Sequence, residues 1–199
     1  MKKYILPETA SFEAPDNIPE AIIDCSPWKD SFPFTVAACG KLFLSPKGLH
    51  VNLSAGESDP VREVTRDNGS VWEDSCLELF IMPDSRNGVY YNFECNANGA
   101  MLVGKGTERN GRELLEPGDG FKKAFSINTR IGQDGWSVSY LIPRSLLGDL
   151  YMPRMNLYKC LEKDPARIHF LCWNEIAAEK PDFHRPEAFG EIEIVRVNA

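Results

Sequence analysis

The chain has 199 residues, 43% of them hydrophobic, with 14 prolines and 15 glycines, which suits one domain with a continuous core and many short strands. Its formal net charge is −7, and lysine and arginine form no block anywhere in it. That excludes partners that need clustered positive charge, nucleic acid and anionic membrane surfaces among them, and leaves neutral or weakly charged ligands.

The N-terminal stretch MKKYILPETASF places two lysines before an apolar run of three residues, too short for the core of a signal peptide. No later run approaches the ~18 apolar residues of a membrane span. The chain as sequenced is therefore expected in the cytoplasm; a removed leader would instead place it in the periplasm or outside the cell. Lys3 to Leu6 reads as an edge strand, and Pro7 to Pro33 as a proline-rich entry segment with little regular structure. FTVAACGKLFLSPKGLHVNLSAGE reads as a hairpin in which Pro46 presets φ and Gly48 takes a position that tolerates positive φ. SDPVREVTRDNGSVWED breaks the alternation and reads as a long polar loop.

Three strands follow, Ser75 to Met82, Val89 to Asn96 and Ala100 to Gly104, then an exposed, charged loop from Thr107 to Gly120. A second hairpin pairs Ala124 to Ile131 with Gly135 to Ile142 around GQDG. Pro143 suits the opening of a short helix, Arg144 to Leu150, and further strands are predicted at Arg154 to Leu161, Arg167 to Trp173 and Phe189 to Val197. Long helical periods, repeats and low-complexity tracts are absent from the sequence. The expected fold is all-β, an antiparallel β-sandwich of the immunoglobulin or jelly-roll kind with one or two short helices, as a single domain over residues 1–199. The six cysteines form no CxxC pair and no Cys/His cluster with zinc spacing. Cys39, Cys76, Cys95 and Cys172 lie in strand-like runs, where free thiols serve as small hydrophobes.

Chemistry concentrates in two stretches. In VWEDSCLELFIMP, Leu77, Leu79 and Ile81 fall at period two and form a core face, which leaves Asp74, Cys76, Glu78 and Phe80 opposite, with Trp72 at the mouth. In VYYNFECNANG, Tyr91, Phe93 and Cys95 face the core and Tyr90, Asn92, Glu94 and Asn96 do not. If the two strands are neighbours, Glu78, Asn92, Glu94 and Asn96 share one surface. Carboxylates and amides in such a row can hold two sugar hydroxyls at once, and the C–H face of a sugar stacks on an indole. Trp72 and Trp173 are the indoles available; Trp28 and Trp136 are assigned to packing. A solvated sheet face accounts for the same pattern without a ligand.

Other constellations carry less. His50, His169 and His184 form no HxH or HExxH pair, and in DFHR the histidine is expected to bond the backbone. Asp59, Asp67, Asn68, Glu73 and Asp74 are hard oxygen donors suited to calcium, at a spacing that fits no loop template. Glycoside hydrolysis needs two carboxyls at a set separation, and many pairs in the sequence qualify.

WEDSCLELFIMP, YYNFECNANG, NLYKC and WNEI…PDFHRPEAFGEIEI occur in that order. Together they resemble the family 9-like carbohydrate-binding modules, specifically the stand-alone bacterial type, over roughly Trp28 to Val195. The resemblance implies a β-sandwich of the DOMON-like group and non-catalytic binding of a mono- or oligosaccharide, xylan- or glucan-derived, at a chain end. In better-known members two tryptophans sandwich the sugar, which maps onto Trp72 and Trp173, while acidic and amide groups map onto Glu78 and Asn96. Where those modules carry a basic side chain on the adjacent strand, this sequence has Glu94. The resemblance also implies structural calcium near the loops, without assigning its ligands here, and a place beside glycoside hydrolases in carbohydrate catabolism. Two alternatives stand beside binding. One is a glycoside hydrolase using acids such as Glu78 and Glu94; the other is a haem-binding DOMON-like domain with Met82, Met101 and His169 as candidate ligands.

Overall fold

The computed structural model describes residues Met1 to Val197. Its strands are β1 (Lys3–Thr9), β2 (Glu20–Ile22), β3 (Ala38–Ser45), β4 (Gly48–Ala55), β5 (Cys76–Met82), β6 (Tyr90–Asn96) and β7 (Met101–Gly106). They continue with β8 (Glu113–Leu114), β9 (Asn128–Gly132), β10 (Gly135–Pro143), β11 (Arg154–Leu161), β12 (His169–Cys172) and β13 (Gly190–Val197). Two four-residue helices, α1 (Phe121–Ala124) and α2 (Arg144–Leu147), complete the elements, with single 3-10 turns at Val71–Glu73 and Pro186–Ala188. No helix among the described residues is long and apolar enough to cross a membrane.

The strands form one continuous sheet in the order β8-β7-β6-β5-β11-β13-β1-β3-β4-β10-β9, with β12 added beside β11 and β2 beside β3. Pairing is antiparallel except along β1, which runs parallel to β13 from Lys3↔Glu191 to Thr9↔Val197 and meets β3 at Glu8↔Leu44. The sheet curls so that its two halves face each other. Leu77, Leu79, Ile81, Phe93 and Leu157 from one half share a core with Leu42, Leu44, Leu53, Val138 and Tyr140 from the other. Contact across the core is close: a Cβ on Gly40 of β3 would lie 2.6 Å from Leu157 Cδ1 on β11. The all-β, two-layer expectation holds, realised as a single curled sheet.

The two halves differ in how their outer faces are treated. Along β10, Trp136, Val138, Tyr140 and Ile142 are buried while Ser137, Ser139 and Leu141 are half-buried, the alternation of a sheet with one wet face. Strands β5 and β6 are buried at every position. Their outer face carries Phe80, Met82 and Tyr90, which pack with Tyr158, Trp28 and Phe189 into a second apolar cluster. Cys76, Leu102, Cys160 and Val71 form a third, with Trp72 and Phe183 against it. The segments 61–74, 25–34 and 176–189 lie over this face, so the expected solvated side is an interior one.

Three further expectations are corrected. The entry segment Pro7 to Pro33 contains β2, and its Cys25 exchanges both backbone hydrogen bonds with Cys172 at 3.0 and 2.9 Å. The strand expected from Ala124 starts at Asn128, because Phe121, Phe125 and Ile127 enter the core through α1, whose first amide donates to Asp67 Oδ2 at 2.7 Å. The loop Thr107 to Gly120 is not wholly exposed: it holds β8, paired to β7, and sends the half-buried Arg112 back across the sheet. The turn at Gly48 is as the sequence requires. Its φ is +152°, and a Cβ there would fall 2.0 Å from the Ile142 carbonyl oxygen.

Candidate functional site

Strands β5, β6 and β11 are mutually registered so that Glu78 lies opposite Glu94 on one side and Tyr158 on the other, with Cys76 opposite Cys160. Side chains directly opposed in antiparallel strands point to the same face. The shared face therefore carries Glu78, Glu94, Cys160 and Phe80 as the floor of a pocket of about 110 Å³. Trp72, on the 3-10 turn before β5, forms part of its wall, and Pro181, Asp182, Phe183 and His184 cross it as a strap. Arg109 and Arg112 close the remaining side.

Phe183 is fixed by stacking on Tyr158, ring centroids 4.1 Å apart and planes 7° from parallel. His184 Nδ1 shares a hydrogen bond with the Tyr90 hydroxyl at 2.8 Å, and its backbone amide donates to Asp182 Oδ1 at 3.1 Å. Burial, with Arg112 and Arg109 nearby, lowers its pKa to about 3, so the ring is neutral. The expectation that this histidine bonds the backbone does not hold: its ring meets the Tyr90 hydroxyl and sits in the pocket wall. Asp182 also faces Arg109 at 3.6 Å, which ties the strap to the 107–120 loop across the mouth.

The floor is acidic and buried. Burial, reinforced by neighbouring Cys160 and Glu94, holds Glu78 well above the ordinary carboxyl range. Burial raises Glu94 to about 7, against the opposing pull of Arg112 and the Asn92 amide. Asn92 Nδ2 donates to Glu94 Oε1 at 2.9 Å, and the Cys160 thiol donates to Glu78 Oε1 at 3.1 Å. Both carboxyls are thus shifted toward the protonated form, in which a carboxyl can donate as well as accept.

Arg112 supplies the cation. Its Nη1 lies 3.9 Å from Glu94 Oε1, is buried and has no hydrogen-bond partner among the described residues; Asn92 Oδ1 is likewise buried and unpartnered among them. The approach depends on missing side chains in β7. A Cβ on Gly106 would lie 3.0 Å from Arg112 Cγ, and one on Gly104 would lie 2.7 Å from Asn92 Oδ1. The sequence signal was the pair of glycines two apart in LVGKG, which clears one face of a strand.

Of the five side chains expected to bind a sugar, three meet at this pocket: Trp72, Glu78 and Glu94. Trp173 does not. It shares parity with Leu171 and lies beside Leu157 on the inner face, 4% exposed, edge-on to Tyr4 at 6.4 Å and covered by Gly190. Asn96 is on the correct face but fully engaged. Its Nδ2 donates to Val64 O at 2.8 Å and Asp74 Oδ2 at 2.9 Å, and its Oδ1 accepts from the amides of Asn98 and Ala100. It pins the 61–74 loop rather than facing the pocket. Phe183, His184, Arg109 and Arg112 were not singled out because two loops, not strand periodicity, bring them in.

Three of the five acidic-loop residues are engaged individually. Asp67 accepts from the amides of Met101 and Phe121, Asn68 donates to the Leu115 carbonyl, and Asp74 pairs with Lys163 at 3.1 Å. The haem candidates do not converge. Met101 lies in the central core and Met82 in the second cluster, while His169 sits between the Arg167 carbonyl at 2.6 Å and Lys159 Nζ at 3.0 Å.

The fold and site together are those of a curled β-sandwich with a half-open acidic pocket on its outer face. Residues 12–194 match carbohydrate-binding family 9, and the chain belongs to that family. A crystal structure of a candidate carbohydrate-binding protein from Bacteroides uniformis is similar at 25% identity and a TM-score of 0.80, over 98% of this chain and 99% of that one. A family 9 module from Caldicellulosiruptor kristjanssonii in complex with cellotriose is similar at 16% identity and a TM-score of 0.63, over 97% and 93% of the two chains. The same organism's module in complex with glucose gives 16% identity and a TM-score of 0.62, over 98% and 97%. No curated protein sequence matches the chain.

Proposed function

We propose that the pocket under the 181–184 strap binds one terminal ring of a neutral mono- or oligosaccharide, without catalysis. The observation that carries this is a buried guanidinium nitrogen, Arg112 Nη1, without a hydrogen-bond partner among the described residues, in a pocket it shares with Glu78 and Glu94. A donor left open next to two carboxyls suits hydroxyl groups, which both give and accept hydrogen bonds. Trp72 and Phe183 offer the aromatic surface in place of a two-tryptophan clamp. Arg112 takes the cationic part from a loop, in a site where the adjacent strand carries Glu94.

Glucose and cellotriose, the ligands of the Caldicellulosiruptor structures, make β-linked glucose ends the first compounds to test, with xylose-based ends beside them. Affinity is expected in the micromolar to millimolar range, since one ring covers little area. The arrangement favours binding over hydrolysis: both carboxyls rise from the same floor, whereas hydrolysis needs them flanking the bond. A role beside carbohydrate-degrading enzymes in catabolism belongs to the same proposal. A reducing cytoplasm is its proposed setting, supported by six free cysteines.

Calorimetry of the full chain with glucose, cellobiose, cellotriose and xylobiose tests the reading. Trp72→Ala and Glu94→Gln should each weaken binding at least about tenfold, about 1.4 kcal/mol. Wild-type affinity in both folded variants would refute the site.

A further inference from the structure

We propose that Cys76, Glu78 and Cys160 form a binding site for one thiophilic divalent cation of the zinc class, set into the floor beneath the pocket. Cys76 and Glu78 are two residues apart on β5 and so project to the same face, and Cys160 stands directly opposite Cys76 on β11. Their candidate ligand atoms, two sulfurs and a carboxylate oxygen, all lie within 4.8 Å of one another. Cys160 Sγ is 3.1 Å from Glu78 Oε1. Zinc–sulfur and zinc–oxygen bonds of about 2.3 and 2.0 Å give a tetrahedral S···O edge of roughly 3.5 Å, a few tenths of an ångström wider than the Cys160–Glu78 separation.

Position and chemistry both favour such an ion over the hard cations considered for the acidic loop. The three side chains are buried on central strands whose pairing orders them in advance. Two thiols and one carboxyl select zinc-like ions and disfavour calcium and magnesium, which take all-oxygen shells. Glu78 and Cys160 also line the pocket, which leaves the fourth coordination position facing it, the pattern of three protein ligands plus one exchangeable ligand. On binding, two thiol protons and one carboxyl proton leave to solvent, and three anionic ligands around a dication carry one net negative charge. The remaining cysteines lack this company: among the described residues no other group of three such donors comes together.

The ion would share Glu78 and Cys160 with the proposed sugar pocket, but its test contains no sugar and so does not depend on that reading. Full-length protein, reduced and freed of metal by chelation, is titrated with cobalt(II) and then zinc. Expected are thiolate-to-cobalt charge-transfer and tetrahedral d–d bands saturating at one cobalt per chain, bleached by one equivalent of zinc. Zinc should stay with the protein through desalting. Cys76→Ser and Cys160→Ser should weaken zinc binding more than about 100-fold, beyond the range of outer-shell changes, while Cys39→Ser leaves it unchanged. A reduced, folded wild type that shows no charge-transfer band and retains no zinc overturns the proposal. So does unaltered zinc binding in folded Cys76→Ser and Cys160→Ser. Should those variants not fold, the wild-type titration alone decides.

Discussion

Replacing Trp173 by alanine separates a core tryptophan from a sugar-stacking one. The indole is 4% exposed, edge-on to Tyr4, and packed so closely that a Cβ on Gly190 would lie 2.4 Å from its Cζ3. Emptying that volume removes the transfer energy of the ring and leaves a cavity between the two halves of the sheet. Core Trp→Ala changes cost about 3–5 kcal/mol. In a domain of this size each kcal/mol shifts Tm by roughly 2–4 °C, so Trp173→Ala should melt roughly 6–20 °C below wild type. Trp72, half-buried on a surface turn, should cost on the order of 1 kcal/mol when truncated, with the loss appearing in sugar affinity instead. Differential scanning calorimetry for Tm and isothermal calorimetry with cellotriose read the two effects separately. The reasoning fails if Trp173→Ala melts within about 2 °C of wild type yet loses sugar binding, because the indole would then belong to the pocket.

Arg112→Gln removes a cation 3.9 Å from Glu94 from a half-buried loop position. It should lower sugar affinity about tenfold or more with Tm nearly unchanged, measured by the same two calorimeters. Gly190→Ala, which drives a methyl into the Trp173 ring and the Lys2 carbonyl oxygen at 2.8 Å, should destabilise by about 1–3 kcal/mol in urea denaturation; a neutral result would mean that β13 and the ring part freely. His184 is held neutral to about pH 3, from an ordinary value of 6.5, by burial and the two arginines. A base whose folded pKa lies below its unfolded one favours folding above the unfolded value, so this contribution is complete above pH 6.5 and fades as pH falls toward 3. His184→Gln, whose amide oxygen can still accept from Tyr90, should therefore show a shallower loss of Tm between pH 6.5 and 3. Parallel profiles for variant and wild type would count against the buried neutral ring.

The strands were legible because their signal is local. Alternation in LELFI and YNFEC marked the inner faces of β5 and β6, Pro46 and Gly48 marked the first hairpin, and NLYKC fell inside a strand whose bounds, Arg154 to Leu161, match the sequence reading. The adjacency of Glu78 and Glu94 was also readable, since two strands joined by a short turn pair antiparallel and bring like faces together. The start of β9 was missed because Phe121, Phe125 and Ile127 suit a strand as well as a helical turn, and the deciding bond comes from Asp67, 54 residues earlier.

Sequence alone determined that this chain folds as strands with one apolar face each, and that two neighbouring strands carry carboxyls on the face they do not share with the core. It did not determine what lies over that face. Period-two alternation reports which side chains point the same way, but not whether the far side meets water or another part of the chain. Only the tertiary structure turned Trp173 inward beside Leu157, engaged Asn96 with the 61–74 loop, and carried Arg112 across Gly104 and Gly106 to Glu94. Those outcomes depend on loops that close over the sheet, and loops are placed by contacts distant in sequence, which no local pattern encodes.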